Sequence, residues 1–241
     1  MRILVFQHLA VEHPGVFRDF WREKGHDWIA VDLAAGEAVP DLAGFDLLVA
    51  MGGPMDVWQE DAHPWLKAEK CAIRRWVREL DRPYLGVCLG HQLLAEALGG
   101  KVAPMKAPEV GLAEIRLTKD GLADPLFAGL PERIEAFEWH GAEVVVAPEG
   151  ARILAANAIS PIQAMRCGRF AYGVQFHPEI TQESASDWTQ LPQCRAQLER
   201  ALGHEQAQGL EARVATKLDA FRRTARRIDD NLAALVALAV P

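Results

Sequence analysis

The chain is short of cysteine and of long apolar runs, and both shortages narrow what it can be. Its 241 residues include 4 cysteines, Cys71, Cys88, Cys167 and Cys194, with no C-x-x-C pair and no metal-ligand spacing. That pattern excludes a disulfide scaffold and fits free thiols in a reducing cytoplasm. No apolar run approaches the roughly 20 residues that a membrane-spanning helix requires. Met1 to Phe6 is too short for the core of a signal peptide, because Gln7-His8 ends it, so the run reads as a first buried strand. A dominant basic block is also missing. The formal charge is −7, which speaks against nucleic acid as a partner. Internal repeats and low-complexity tracts are absent. The 8 histidines offer no pair with ligand spacing beside a carboxylate, apart from His177 and Glu179, so no metal is expected.

Apolar residues make up 50% of the chain, enough for one sizeable core plus an appendage. Arg2 to Phe6 and Trp28 to Leu33 read as strands around a helix from Val16 to Lys24, with Phe17, Phe20 and Trp21 on one face. Phe45 to Met51 is a continuous apolar strand of the kind that is covered on both faces. A helix follows from Pro64 to about Leu80, its buried stripe being Trp65, Leu66, Ile73, Trp76, Val77 and Leu80. Tyr84 to Val87 is the next strand, and Leu93, Leu94, Ala97 and Leu98 mark a helix that Gly99-Gly100 ends. This alternation predicts an α/β fold with a doubly wound, mostly parallel sheet. After Gly100 shorter strands are expected at Val110–Leu117, 134–139, 144–146, 153–156 and 162–166, joined by Gly and Pro turns in a small antiparallel section. Ala171 to Phe176 then returns to the main sheet.

From about Leu191 the chain reads as a helical C-terminal extension, residues 191–241, on a domain of residues 1–190. Leu218, Phe221, Ala225, Ile228, Leu232, Leu235 and Ala239 form an apolar stripe of heptad type. It predicts either a helix docked on its own domain or a homodimer seam. The arginines from Arg222 to Arg227 read as its solvated face.

Chemistry concentrates at Gly86-Val87-Cys88-Leu89-Gly90-His91-Gln92. Cys88 falls between strand and helix, with Gly86 and Gly90 two residues to either side, the G-x-C-x-G form of a nucleophile elbow. A thiol there faces a helix N-terminus, whose partial positive charge favours the thiolate. The backbone N–H of Leu89, next after the nucleophile, is positioned to donate to an oxyanion. A base and an orienter are found in Phe176-His177-Pro178-Glu179. In extended chain His177 and Glu179 share a face, so the carboxylate can hold the imidazole that takes the thiol proton.

These motifs, G-x-C-x-G-x-Q and F-H-P-E, resemble those of the class I, triad-type glutamine amidotransferases, in particular the glutaminase part of GMP synthase and its stand-alone relatives. The resemblance covers Arg2 to about Glu179. It implies a triad of Cys88, His177 and Glu179, and a Gly-Gly-Pro loop in which Gly53 is the second oxyanion donor and Gly52 shapes the turn beside the substrate. It implies that Gln92 and the segment Trp139-His140-Gly141 bind the substrate. His140 is read as a packing or hydrogen-bonding residue, since nothing is seen to orient it as Glu179 orients His177. His91 is read as structural, and Cys71, Cys167 and Cys194 as buried small residues. Glu109-Val110-Gly111 resembles a motif of stand-alone members, with no chemical role assigned. Met55 and Asp56 follow Pro54 where many members have small residues.

The chain has no S-G-G-x-D-S loop and no G-x-x-x-x-G-K-[ST], so no nucleotide cofactor and no synthetase half are expected within it. The implied reaction is hydrolysis of the carboxamide of L-glutamine through a γ-glutamyl thioester, with ammonia passed to a separate synthetase subunit. Two alternatives stay open: a free-standing γ-glutamyl peptidase acting on γ-glutamyl peptides or conjugates, and a non-catalytic interaction protein.

Overall fold

The computed structural model describes residues 1–239, so the last two positions of the 191–241 extension lie outside the described residues. In chain order the elements are β1 (Arg2–Gln7), α1 (Phe17–Glu23), β2 (Asp27–Asp32), β3 (Leu47–Ala50), α2 (Trp65–Arg78), β4 (Tyr84–Val87), α3 (Leu89–Ala97) and β5 (Lys101–Leu117). There follow α4 (Lys119–Ala123), β6 (Arg133–Val146), β7 (Arg152–Ala156), β8 (Ala164–Cys167), β9 (Ala171–Val174), α5 (Gln182–Gln190), α6 (Pro192–Gln208), α7 (Leu210–Ala215) and α8 (Leu218–Ala239).

All strands join one sheet in the order β2-β1-β3-β4-β9-β8-β7-β5-β6. The half from β2 to β9 is parallel, and the half beyond β9 is antiparallel. The antiparallel section is therefore a continuation of the main sheet through β8. The strands expected at 134–139 and 144–146 are one strand, β6. Gly141, which reads as a turn, lies within it, and pairing with β5 continues on both sides.

Alternation along the parallel strands sends Ile3, Val5, Leu47, Val49, Leu85 and Val87 to one face. Leu4, Phe6, Leu48, Ala50 and Tyr84 go to the other, against α2 and α3. Each such fully buried aliphatic side chain contributes about 1.5–3 kcal/mol relative to an exposed one. The first face is closed by α1 and α8: Ala225, Ile228, Leu232 and Leu235 share a core with Phe17, Phe20 and Trp21. The C-terminal stripe is thus spent on the chain's own core, and the homodimer seam has no such stripe left to use. Arg222 and Arg226 lie over Phe20 and pair with Asp19 and Glu23. Helical structure begins at Gln182, before the expected boundary, where the Thr181 side chain caps α5 by accepting from Ser184 N at 3.1 Å. Helices α5 to α7 form a third apolar cluster with Val110, Phe137 and Trp139 of β5 and β6.

Candidate active site

Two glycines side by side in the sheet let α3 approach it. Gly86 of β4 pairs with Gly173 of β9. A Cβ on Gly86 would lie 2.4 Å from the Gly90 backbone, and one on Gly173 would lie 2.5 Å from His91 Nδ1. The first turn of α3 sinks into that hollow. It is fixed there by Tyr84, whose hydroxyl donates to Gly90 O at 2.8 Å, and by Cys88 N, which donates to Val174 O at 2.9 Å. Cys88 itself is the N-cap of α3, with φ 50 and ψ −102. A side chain in that region is strained by roughly 1–3 kcal/mol and is held there by its surroundings. The thiol is buried and donates to the Trp139 carbonyl at 3.7 Å.

His177 follows the end of β9, its N–H donating to Phe137 O at 2.8 Å. Its Nδ1 lies 2.8 Å from Glu179 Oε1, and both side chains are buried. Trp188 of α5 packs edge-on against the imidazole with centroids 4.7 Å apart. Burial disfavours charge on this ring. The Glu179 carboxylate and the Cys88 sulfur outweigh burial and hold its pKa well above the usual imidazole value. Cys88 and His177 line one cavity; Glu179 is hydrogen-bonded to the imidazole, and His177 Nε2 has no hydrogen-bond partner among the described residues.

One cavity is lined by Gly53, Cys88, Gln92, Trp139, His140 and Gly141, as well as by His177. Gly52 lies against the imidazole, since a Cβ there would sit 3.2 Å from His177 Cε1. Among the described residues, neither Gly53 N nor Leu89 N donates to a protein acceptor. Gln92 donates its amide to Ala142 O at 3.0 Å and to Gln175 Oε1 at 3.1 Å, which leaves its carbonyl oxygen for the cavity. His91 is fully buried, and that burial lowers its pKa to about 3, so it is neutral.

Two expectations are corrected. His140 is oriented after all: Glu109 Oε2 and Glu138 Oε2 lie 3.1 and 3.3 Å from its Nε2, and Nδ1 donates to Ala142 O at 2.9 Å. Burial lowers its pKa, but the hydrogen bonds to Glu109 and Glu138 win and raise it to about 10. Glu138 shares the strand with His140, whereas Glu109 is brought opposite it only by the β5–β6 register. Glu109, Glu138 and His140 are also the one group among the described residues whose metal-type ligand atoms cluster, within 4.8 Å. Asn157 and Gln163 already donate to Glu109, so the group reads as a hydrogen-bonded charge cluster. The second correction concerns Cys71, which is exposed on α2 rather than buried.

Several residues at the site were not anticipated. Trp188, Cys194 and Gln197, from α5 and α6, wall the cavity. Glu12, in the loop after β1, also lines it. A Cβ on Gly52 would lie 2.7 Å from Glu12 Oε2, so this buried carboxylate and the His177 ring close over the same glycine. Burial raises the Glu12 pKa to about 7. His8, fully buried at the end of β1, places Nδ1 2.8 Å from Gly52 O and Nε2 3.0 Å from Glu69 Oε2. Glu69 was within reach of sequence reasoning, being an acidic residue in the middle of the apolar stripe of α2.

The model of the family "Glutamine amidotransferase class-I" matches residues 26–188, more than half of the chain. The chain belongs to that family. This amidotransferase is 39% identical over 153 residues to a glutamine-hydrolyzing GMP synthase subunit of Sulfolobus acidocaldarius, covering 63% of this chain and 76% of the relative. It is 32% identical over 197 residues to the glutamine amidotransferase-like protein YfeJ of Salmonella typhimurium, covering 80% and 82%. A crystal structure of a glutamine amidotransferase from Thermotoga maritima superposes with a TM-score of 0.85 at 27% identity, over 98% of each chain. Against GMP synthases made as one long chain the amidotransferase spans about a quarter of the length, 26% in one case.

Proposed function

We propose that this amidotransferase hydrolyses the side-chain carboxamide of L-glutamine through Cys88, His177 and Glu179. The Cys88 thiolate attacks the amide carbon, and the oxyanion that forms meets the N–H groups of Gly53 and Leu89. His177, held by Glu179, carries the thiol proton to the departing ammonia. Water then cleaves the γ-glutamyl thioester and returns the thiol. Glutamine and water become glutamate and ammonia.

The observation that carries this reading is the cysteine held in a strained elbow conformation beside a buried imidazole whose other nitrogen is bonded to a carboxylate. Gln92 and the segment 139–141 are assigned to the amino-acid end of the substrate because they line the same cavity. The walls from α5 and α6 narrow that cavity, which favours glutamine over bulky γ-glutamyl conjugates. The similarity to a glutamine-hydrolyzing GMP synthase subunit supports transfer of ammonia to a synthetase on a separate chain. We assign residues 1–190 to the amidotransferase unit, since the family match ends at residue 188, and 191–241 to its helical extension. A thiol nucleophile that must stay reduced agrees with the cytoplasm, and no described helix is long and apolar enough to cross a membrane.

The test is a comparison of glutamine and γ-glutamyl peptide hydrolysis by wild type and Cys88→Ala. Wild type is expected to prefer glutamine, and the variant to lose about 10⁴-fold or more in kcat while melting normally. A variant that keeps the wild-type rate would refute the assignment, and a preference for γ-glutamyl peptides would make this a peptidase.

A further inference from the structure

We infer that His8 and Glu69 form a buried clamp that presets the oxyanion donor of Gly53, an inference that rests on the reaction proposed above. A carbonyl can only accept, so His8 Nδ1, 2.8 Å from Gly52 O, carries a proton and donates it. Nε2 faces both oxygens of the Glu69 side chain at 3.1 and 3.0 Å, so a proton is shared between them. The pair is fully buried on both sides, and it fixes Nδ1 as the nitrogen that donates to Gly52 O. The ring is stacked on Trp65 with centroids 5.1 Å apart and planes 16° apart, which fixes the direction in which Nδ1 points.

The consequence lies one atom further on. The described chain has no cis peptide bond, so the Gly52 carbonyl and the Gly53 N–H point in opposite directions across one plane. Holding the carbonyl on His8 turns the Gly53 N–H away from His8 and toward the cavity that Gly53 and Cys88 both line. Glycine at both positions would otherwise let this peptide rotate at little cost. The residue before is tied as well, with Met51 N donating to Phe6 O at 3.0 Å and Gly90 N to Met51 O at 3.1 Å. One end of the loop is anchored by the sheet and the other by the clamp. His8 and Glu69 touch neither substrate nor sulfur and are positioning residues.

The experiment separates oxyanion stabilisation from thiol reactivity in the same preparation. Alkylation of Cys88 by iodoacetamide is a displacement with no oxyanion, whereas glutamine hydrolysis needs one twice. His8→Ala is expected to lower kcat for glutamine about 10²-fold, the usual effect of losing one oxyanion donor, with the Cys88 alkylation rate within about twofold of wild type. The near-isosteric Glu69→Gln keeps the shape, guards against a His8 variant that fails to fold, and is expected to lose about tenfold in kcat with the same unchanged alkylation. Equal losses in both rates would show that the pair holds the nucleophile or the fold, and overturn the clamp. An unchanged kcat in both variants would overturn it as well. Failure of the underlying reaction is seen separately, as a Cys88→Ala control that still hydrolyses glutamine.

Discussion

Glu12 shows what a single buried charge does at this site. The residue is 6% exposed, and its buried Oε2 has no hydrogen-bond partner among the described residues. Burial raises its pKa from 4.5 to about 7, with the Glu179 charge adding to the rise and His177 opposing it. The folded chain therefore holds a proton that the unfolded chain releases between pH 4.5 and 7. Stability falls as pH rises through that window, and the penalty is complete above pH 7. Glu12→Gln removes it, so the variant should be more stable than wild type by about 1–3 kcal/mol at pH 8 and no different near pH 4. Urea denaturation at the two pH values measures this, and a pH-independent difference would show that Glu12 is not protonated on folding. The wild-type residue is then a stability cost carried next to His177, as is common at functional sites.

At the level of elements, the elbow depends on close approach of backbones. A Cβ on Gly90 would lie 2.1 Å from Ala50 O, an atom of the neighbouring strand that cannot swing aside. Gly90→Ala should therefore destabilise the protein by about 2 kcal/mol or more and displace Cys88. Gly99→Ala tests the contrast, because nothing lies within 4 Å of an added Cβ there and only its φ of +92 opposes the change. If thermal melts rank the two the other way, packing against β3 is not what requires Gly90. The elbow was legible in the sequence because its strand, turn and helix are contiguous, and so were β1, β3 and α2 from their apolar pattern. What could not be read depends on pairing across long separations. The 17-residue β5 reads as a strand only from Val110 onward, and the 14-residue β6 reads as two short strands, until their mutual register is known. The orientation of His140 by Glu109 follows from that register. The walls contributed by Trp188, Cys194 and Gln197 depend on how α5 and α6 fold back over the antiparallel half, which helical periodicity alone does not specify.

On the scale of the whole molecule, the two ends of the chain are stapled together beneath the sheet. Asp229 of α8, 3% exposed, accepts from Trp21 Nε1 at 2.9 Å and pairs with Lys24 Nζ at 2.6 Å. These groups belong to α1 and the residue that ends it, more than 200 positions earlier, so α8 covers the face that α1 leaves open. Nearby, Arg226 makes a solvent-exposed pair with Glu23 across the same two helices. The two pairs should differ sharply in what they contribute. Asp229→Ala leaves a buried indole N–H without its acceptor and weakens a partly buried ammonium, which keeps Asp230 at 2.7 Å, so the loss should be about 2–4 kcal/mol. Arg226→Ala removes an exposed, salt-screened pair together with its contact over Phe20, and should cost about 1 kcal/mol or less. Chemical denaturation of both variants checks this, with glutamine turnover of the folded proteins as the second readout. Turnover should stay near wild type in each, since neither side chain reaches the Cys88 cavity. Equal costs for the two would mean that α8 is held by its apolar stripe alone, and that Asp229 only satisfies Trp21 and Lys24 where they happen to lie.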